Sequence, residues 1–280
     1  MHLLELNDAG FTYPQQRDAV FSSINLRVDR GEIFCLLGPN GCGKTTLLDC
    51  ILGIHRLDQG RIKVNGEDAR HFRPGEIAKH VAYVPQRHEN TFPYTVIDMV
   101  KMGRAVYTGR FSSPSDIDKE QAKKALEIVG MMHMRHRPFT QLSGGEAQLV
   151  MIARALAQQT SLIIMDEPTA HLDFKHEMLV METIVKLVRE TDMSVLMATH
   201  FPNHTFYFEN RDIPIRVALM HDHTFLESGK PTEVLREDNI GRIYRVKARL
   251  AEFAMEEGSL RQLIPLRTLT AEDNCDESQY

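Results

Sequence analysis

The sequence predicts an α/β fold in which a mostly parallel sheet carries an antiparallel β subdomain and an inserted helical subdomain. Three observations predict it. The apolar runs Ile33 to Leu37, Ser161 to Met165 and Ser194 to Ala198 are continuous rather than alternating, as strands buried on both faces of a parallel sheet are. Leu3 to Tyr13 and Val20 to Val28 instead alternate around the turn-prone PQQRD, the pattern of two antiparallel strands. From Arg87 to Arg137 the period becomes helical, with Val96, Met99 and Val100, then Ala122, Ala125, Leu126 and Val129, separated by the loop SSPSD.

The first strand ends in an aromatic, Tyr13, with two readings: a flat face on which adenine could stack, or an ordinary core residue of a strand. The stretch that follows organises the chain. Leu37 to Leu47 reads LGPNGCGKTTL, so that Gly38, Gly43, Lys44 and Thr45 fill the template GxxxxGK[ST] between a strand and an amphipathic helix running to Ile54. Gly38, Gly41 and Gly43 let backbone N–H groups converge on phosphate oxygens without Cβ obstruction, and the helix start adds its positive end. Lys44 would reach the β- and γ-phosphates, and the Thr45 hydroxyl would ligate Mg²⁺. Pro39, Asn40, Cys42 and Thr46 complete the candidate nucleotide contacts, and the core is therefore of the P-loop NTPase type. Cys42, inside this cradle, would make hydrolysis sensitive to thiol alkylation.

Downstream, Arg61 to Val64 reads as a short strand closed by an Asn65-Gly66 hairpin turn, and His80 to Val84 as a strand ending in Pro85-Gln86. In the helical region Met131, Met132 and Met134 are either adaptable contact residues or core. Ser143-Gly144-Gly145-Glu146 satisfies the capping box S-x-x-E before an apolar-periodic helix. Two adjacent glycines are odd in a cap, since each weakens a helix start by about 1 kcal/mol relative to Ala unless something must approach closely. The alternative is an exposed helix N-terminus offered to an anion.

The run SLIIMDE closes on Asp166 and Glu167. Ligands of parallel α/β sheets lie beyond the carboxyl ends of the strands, so this pair belongs with the phosphates, Asp166 suiting Mg²⁺ and Glu167 a general base. The last core strand ends at Thr199-His200, where His200 either senses a γ-phosphate or is structural. Val217 to Ser228 suggests a hairpin, a helix follows Pro231, and the acidic, polar end TAEDNCDESQY reads as disordered. The pairs His133/His136 and His221/His223 have no third ligand at metal-binding spacing.

Composition sets bounds. A net charge of −5 without a basic cluster argues against nucleic-acid binding. No apolar run approaches the ~20 residues of a spanning helix and no leader pattern opens the chain, so a soluble, unexported protein is expected. Cys35, Cys42, Cys50 and Cys275 follow no zinc or redox spacing and read as free thiols.

With LGPNGCGKTT, Gln86, LSGGE, LIIMDEP, HLD and ATH in this order, the chain resembles the ATP-binding subunit of ABC transporters from about Leu4 to Tyr244. The resemblance implies an ATPase using ATP and Mg²⁺ whose two copies sandwich each nucleotide. Ser143, Gly144 and Gly145 would then face a γ-phosphate held by the partner's cradle, and Asp173 would lie in the segment crossing the dimer interface. It further implies that Gln86 couples Mg²⁺ and water to the helical subdomain, that His200 is the γ-phosphate switch, and that Tyr13 stacks on adenine. Val96 to Arg104, the spacing of AHLDF and the ATHFPNH segment are similar to the subgroup that serves importers of metal chelates (siderophore iron, haem, cobalamin) or molybdate. That subgroup implies integral membrane permease partners, a substrate-binding protein acting indirectly, and a peripheral location on the cytoplasmic face of the inner membrane. Ala147 and His171 depart from the usual residues, and the chain beyond Lys247 is longer than usual. Residues 1–247 are expected to form the ATP-binding domain, with the helical subdomain at about 87–158, and 248–280 a C-terminal extension. A nontransport ABC ATPase of DNA repair or translation is the alternative class.

Overall fold

The computed structural model describes residues 2–73, 75–86, 92–108, 113–255 and 259–270. The chain begins β1 (Leu4–Phe11), β2 (Phe21–Val28), β3 (Ile33–Leu37), α1 (Lys44–Ile51), β4 (Gln59–Val64) and β5 (Glu67–Asp68). Strands β1, β2, β4 and β5 form an antiparallel sheet in the order β2-β1-β4-β5. Asn65 and Gly66 turn between β4 and β5 at φ 52° and 85°, the positive values a two-residue hairpin needs.

The chain continues through β6 (Val81–Val84), α2 (Val96–Lys101), α3 (Asp116–Ile128), α4 (Gly144–Ala157), β7 (Leu162–Asp166), α5 (Phe174–Thr191), β8 (Ser194–Thr199), α6 (Asn203–Glu209), β9 (Ile215–His221) and β10 (Thr224–Gly229). The central sheet runs β10-β9-β3-β8-β7-β6. Its pairings are parallel except for the β9/β10 hairpin. Every residue of β3, β7 and β8 is buried, which is why these strands read as unbroken apolar runs. Along β3, Ile33, Cys35 and Leu37 pack on the side of α4 and α5, while Phe34 and Leu36 pack on the side of α1 and the antiparallel sheet.

Register is what makes a site. Leu37 pairs with Thr199, Asp166 with Ala198 and Val84 with Met165, so the residues following β3, β6, β7 and β8 emerge along one edge of the sheet.

In the helical region α2, α3 and α4 pack on one another around Val96, Val100, Ala122, Ala125 and Leu126. Met131 is buried in this core and Met132 and Met134 pack against it, which favours the core reading of the three methionines. A buried ion pair from Arg104 Nε to Asp118 Oδ1, 2.9 Å, joins the start of α3 to the end of α4, where Arg104 Nη1 also donates to Ala157 O. Residues 87–91 and 109–112 of the expected helical subdomain lie outside the described residues.

After α7 (Pro231–Val234) and α8 (Glu237–Tyr244) the chain forms a feature the sequence reading lacks: a long hairpin of β11 (Val246–Ala254) and β12 (Ser259–Thr268). It starts two residues before the expected boundary at 248. Ala248 and Leu263 bury it against α8 and α6. The side-chain amides of Asn203, which opens α6, and Asn210, which caps its end, each donate to and accept from the backbone of β12, at Leu263 (3.0 and 2.8 Å) and Arg261 (3.0 and 3.1 Å). The acidic end, 271–280 with Cys275, lies outside the described residues.

Candidate functional site

The loop after β3 closes on α1 at Gly43, whose φ of 102° and ψ of 8° leave the helix start without a side-chain cap. A Cβ at Gly43 would lie 2.9 Å from Val20 Cγ1, so both conformation and space demand glycine there. The first N–H groups of α1 are thus left to an external acceptor. Lys44 curls back over the loop, its Nζ donating to Gly38 O at 2.8 Å and Pro39 O at 3.1 Å, and only 6 % of the residue is exposed. These are neutral acceptors, and an incoming phosphate oxygen would compete for the ammonium as a charge-assisted partner.

Next to the lysine, Thr45 Oγ1 donates to Asp166 Oδ2 at 2.9 Å, joining the helix after β3 to the end of β7. Burial pushes the Asp166 carboxyl up, with Glu167 adding to the effect and Thr45 and Lys44 opposing it. A raised carboxyl holds its proton more tightly folded than unfolded, so its ionisation costs stability at neutral pH, a cost that shrinks as pH falls through the folded pKa and is gone below the unfolded one. Asp166→Asn is therefore expected to raise the melting temperature of the nucleotide-free protein at pH 7, a gain that shrinks toward acid. A lower melting temperature at pH 7 would contradict this.

Glu167 follows β7 in the left-handed region, φ 45°, held by its N–H to Ala198 O at 2.9 Å. Its Oε2 accepts from Gln86 Nε2 at 2.9 Å. His200 Nδ1 lies 3.1 Å from the same oxygen, but off the line a hydrogen bond needs, and has no hydrogen-bond partner among the described residues. Gln86 after β6, Glu167 after β7 and His200 after β8 thus converge on one carboxylate.

Gln86 and Glu167 border a cleft of about 440 Å³, with His200 reaching it through Glu167. Asn40, Gly41, Gly43, Lys44, Thr45 and Thr46 form one wall, and Tyr13, Gln86 and Glu167 contribute to the others. Tyr13 is half-buried, its hydroxyl 3.2 Å from Thr46 Oγ1 and its ring edge-on to Phe11 and His55. Gln16 and Val20 line the same cleft and were not foreseeable, because their turn carries no motif. Cys42 is half-buried, its Sγ 2.7 Å from where a Cβ on Gly38 would lie. Burial pushes its thiol up against the pull of Lys44, which works against the expected reactivity. Cys42 is expected to react with N-ethylmaleimide at pH 7 more slowly than a free thiol, measured by mass spectrometry. Reaction as fast as glutathione would refute it.

The hard oxygens of Thr45 and Asp166, with the Gln86 amide nearby, suit a small divalent cation that keeps part of its water shell. Among the described residues no three His, Cys, Asp or Glu side chains are grouped to hold a metal ion by themselves.

Ser143, Gly144, Gly145 and Asp173 are brought together elsewhere and do not line the cleft. Ser143 and Glu146 form the expected capping box, Ser143 N donating to Glu146 Oε2 at 2.7 Å and Glu146 N to Ser143 Oγ at 3.3 Å. Asp173 caps α5 by accepting from His176 N at 2.9 Å, and its carboxylate also meets His176 Nδ1. The His176 ring lies against Gly145, where a Cβ would come within 2.1 Å of it. That accounts for one glycine of the pair. At Gly144, among the described residues, a Cβ would meet only Leu172 Cδ2, at 3.9 Å, so none of them requires the second glycine.

Comparison with known proteins follows the same lines. Residues 21–170 match the family model described as ABC transporter. The molybdate import ATP-binding protein MolC of Haemophilus influenzae is 33% identical over 263 residues, 94% of this chain and 96% of that protein. The iron(3+)-hydroxamate import ATP-binding protein FhuC of Bacillus subtilis is 32% identical over 89% of this chain and 90% of that one. Among solved structures, an inward-facing conformation of a metal-chelate type ABC transporter superposes with a TM-score of 0.83 at 32% identity, covering 95% of this chain and 98% of that chain.

Proposed function

The chain belongs to the ABC transporter family as an ATP-hydrolysing, ATP-binding subunit, and from that premise we propose that it drives an importer of metal chelates or of molybdate-like oxyanions. Two copies would close on ATP beneath a separate membrane permease, with a substrate-binding protein acting on the far side and no nucleic acid involved. The observation that carries this reading is the division of the site residues. Lys44, Thr45, Gln86 and Glu167 line one cleft, with Asp166 bonded to Thr45 and His200 set against Glu167, whereas Ser143, Gly144 and Asp173 sit apart with an unexplained open glycine. A site split in this way is completed by a second copy.

In this reading the cradle from Gly38 to Thr46 holds the phosphates through backbone N–H groups, and Lys44 leaves its own loop carbonyls for the β- and γ-oxygens. Thr45, Asp166 and Gln86 would hold Mg²⁺, which neutralises charge developing on the phosphate oxygens. Glu167 takes the proton of the attacking water, and its fixed left-handed turn aims the carboxylate at the cleft. Gln86 and His200 already touch that carboxylate, so both sense whether a water and a γ-phosphate are in place. Tyr13 offers its ring to adenine.

Past Gln86, the helical region exposes Phe92, Tyr94, Met102 and Tyr107, apolar side chains that suit docking to a permease. Among the described residues no helix is long and apolar enough to cross a membrane. In this reading the chain is a peripheral subunit on the cytoplasmic face of the inner membrane. The test is reconstitution with the cognate permease and binding protein, measuring phosphate release as metal chelates and oxyanions are added in turn. Stimulation by one of these supports the proposal, and indifference to all of them with transport of another solute class would overturn it.

A further inference from the structure

The turn carrying His200 is held by a chain of hydrogen bonds that starts on a different element. Phe201 N donates to Thr199 Oγ1 at 3.2 Å, and Thr199 Oγ1 lies 3.2 Å from His204 Nδ1. His204 Nε2 lies 2.8 Å from Glu177 Oε1 on α5. Only one assignment of protons satisfies every group: the Thr199 hydroxyl accepts from Phe201 and donates to Nδ1, and the Nε2–H of a neutral imidazole donates to the Glu177 carboxylate. Burial pushes His204 down, against the pull of Glu177, which favours the neutral ring. Thr199 and His204 are 1 % and 6 % exposed, so no competing water relieves either of them.

The two ends of this chain matter. Glu177 lies one turn into α5, its N–H bonded to the carbonyl of Asp173 at 2.9 Å. At the other end Phe201 packs its ring on His200, centroids 3.9 Å apart, and His200 Nδ1 faces Glu167 without a hydrogen bond of its own. His200 therefore takes its position from the backbone turn and from Phe201. Helix α6, which carries His204, is tied at its two ends to the backbone of the C-terminal hairpin by the Asn203 and Asn210 side chains, so it serves as a fixed support.

We propose that Glu177, His204 and Thr199 form a positioning relay that sets His200 against Glu167 and ties that setting to the helix opening at Asp173. The inference rests on the ATP-hydrolysis reading of the cleft. It adds that the α5 start, next to the Gly144 surface, governs the switch histidine of the same chain. None of the three relay residues touches the nucleotide cleft.

The test uses the full chain and four variants. Glu177→Met keeps a helix-compatible side chain of similar length and removes the acceptor, whereas Glu177→Gln keeps an oxygen that can accept from His204. In Glu177→Met, kcat for ATP is expected to fall roughly tenfold, the scale of one lost hydrogen bond to a charged group, with KM within about twofold. Glu177→Gln is expected to recover most of that rate. The His200 imidazole Cε1–H signal in a ¹H–¹³C NMR spectrum, assigned with a His200→Gln variant, is expected to move in Glu177→Met and to return toward its original position in Glu177→Gln. Wild-type kcat in Glu177→Met, or a lost rate with an unmoved His200 signal, would overturn the relay. Glu167→Gln run alongside separates the two levels. If it is inactive while Glu177→Met is fully active, only the relay fails, and if it too is fully active, the reading of the cleft fails.

Discussion

Glu167→Gln is expected to lower ATP turnover by at least ~10² to 10⁴ while ATP affinity stays near that of the parent. The amide keeps the shape of the side chain and can still accept from Gln86 Nε2, so the 2.9 Å contact that orients residue 167 survives. What disappears is the capacity to take a proton from water. No phosphate contact is assigned to Glu167, whose neighbours are Gln86 and His200, so binding has no reason to weaken. Single-turnover hydrolysis beside equilibrium binding of a fluorescent ATP analogue separates the two effects. A variant that hydrolyses at the parent rate would remove Glu167 from its role, and one that loses binding in proportion would make it a binding residue instead.

Gly144→Asp is expected to act in opposite directions on stability and on activity. Within one chain its Cβ would meet only Leu172 Cδ2 at 3.9 Å, and an acidic residue in the first turn of α4 favours the helix macrodipole. The variant should therefore melt no lower than the parent. Facing a γ-phosphate on a partner, the same carboxylate sets like charges together at a cost of several kcal/mol, which lowers turnover on the order of 10²-fold. Gly145→Ala supplies the contrast, because its methyl group would collide with the His176 ring and the fold itself must give. Thermal melting and phosphate release on both variants check the pair. Parent turnover in Gly144→Asp would mean that no anion approaches that surface.

Much of this is legible in the sequence. The buried strands β3, β7 and β8 announce themselves as apolar runs because a parallel sheet covered on both faces has no polar side to show. Where those strands end, the sequence places Gly38, Glu167 and His200, and parallel register brings them to one edge. The glycine pair is readable as an anomaly, but only the fold divides it, setting the His176 ring on Gly145 and leaving Gly144 open.

The C-terminal hairpin escaped notice for physical reasons. Most of β11 and β12 is exposed or half-exposed, so neither strand shows an apolar alternation, and only Ala248 and Leu263 are buried. Its attachment runs through the amides of Asn203 and Asn210, roughly 60 and 50 residues away in sequence, and such pairing leaves no periodic signal. The Glu177–His204–Thr199 chain was invisible for the same reason, since it joins two helices and a strand end through side chains alone. A thiol reactivity expected from Cys42's place in the loop meets the opposing effect of burial, which sequence position does not convey.

The central claim is that each ATP is completed by two chains, and mixing two inactive variants tests it most directly. Lys44→Ala disables the cradle of its own chain, and Gly144→Asp disables only the surface offered to a partner. If the halves of the site come from different copies, a mixed dimer contains one site in which an intact Lys44 meets an intact Gly144. Combining the two purified variants should then restore phosphate release that neither shows alone. If Lys44 and Gly144 serve the same nucleotide within one chain, every chain in the mixture is defective, and a mixture as inactive as its components would contradict the account.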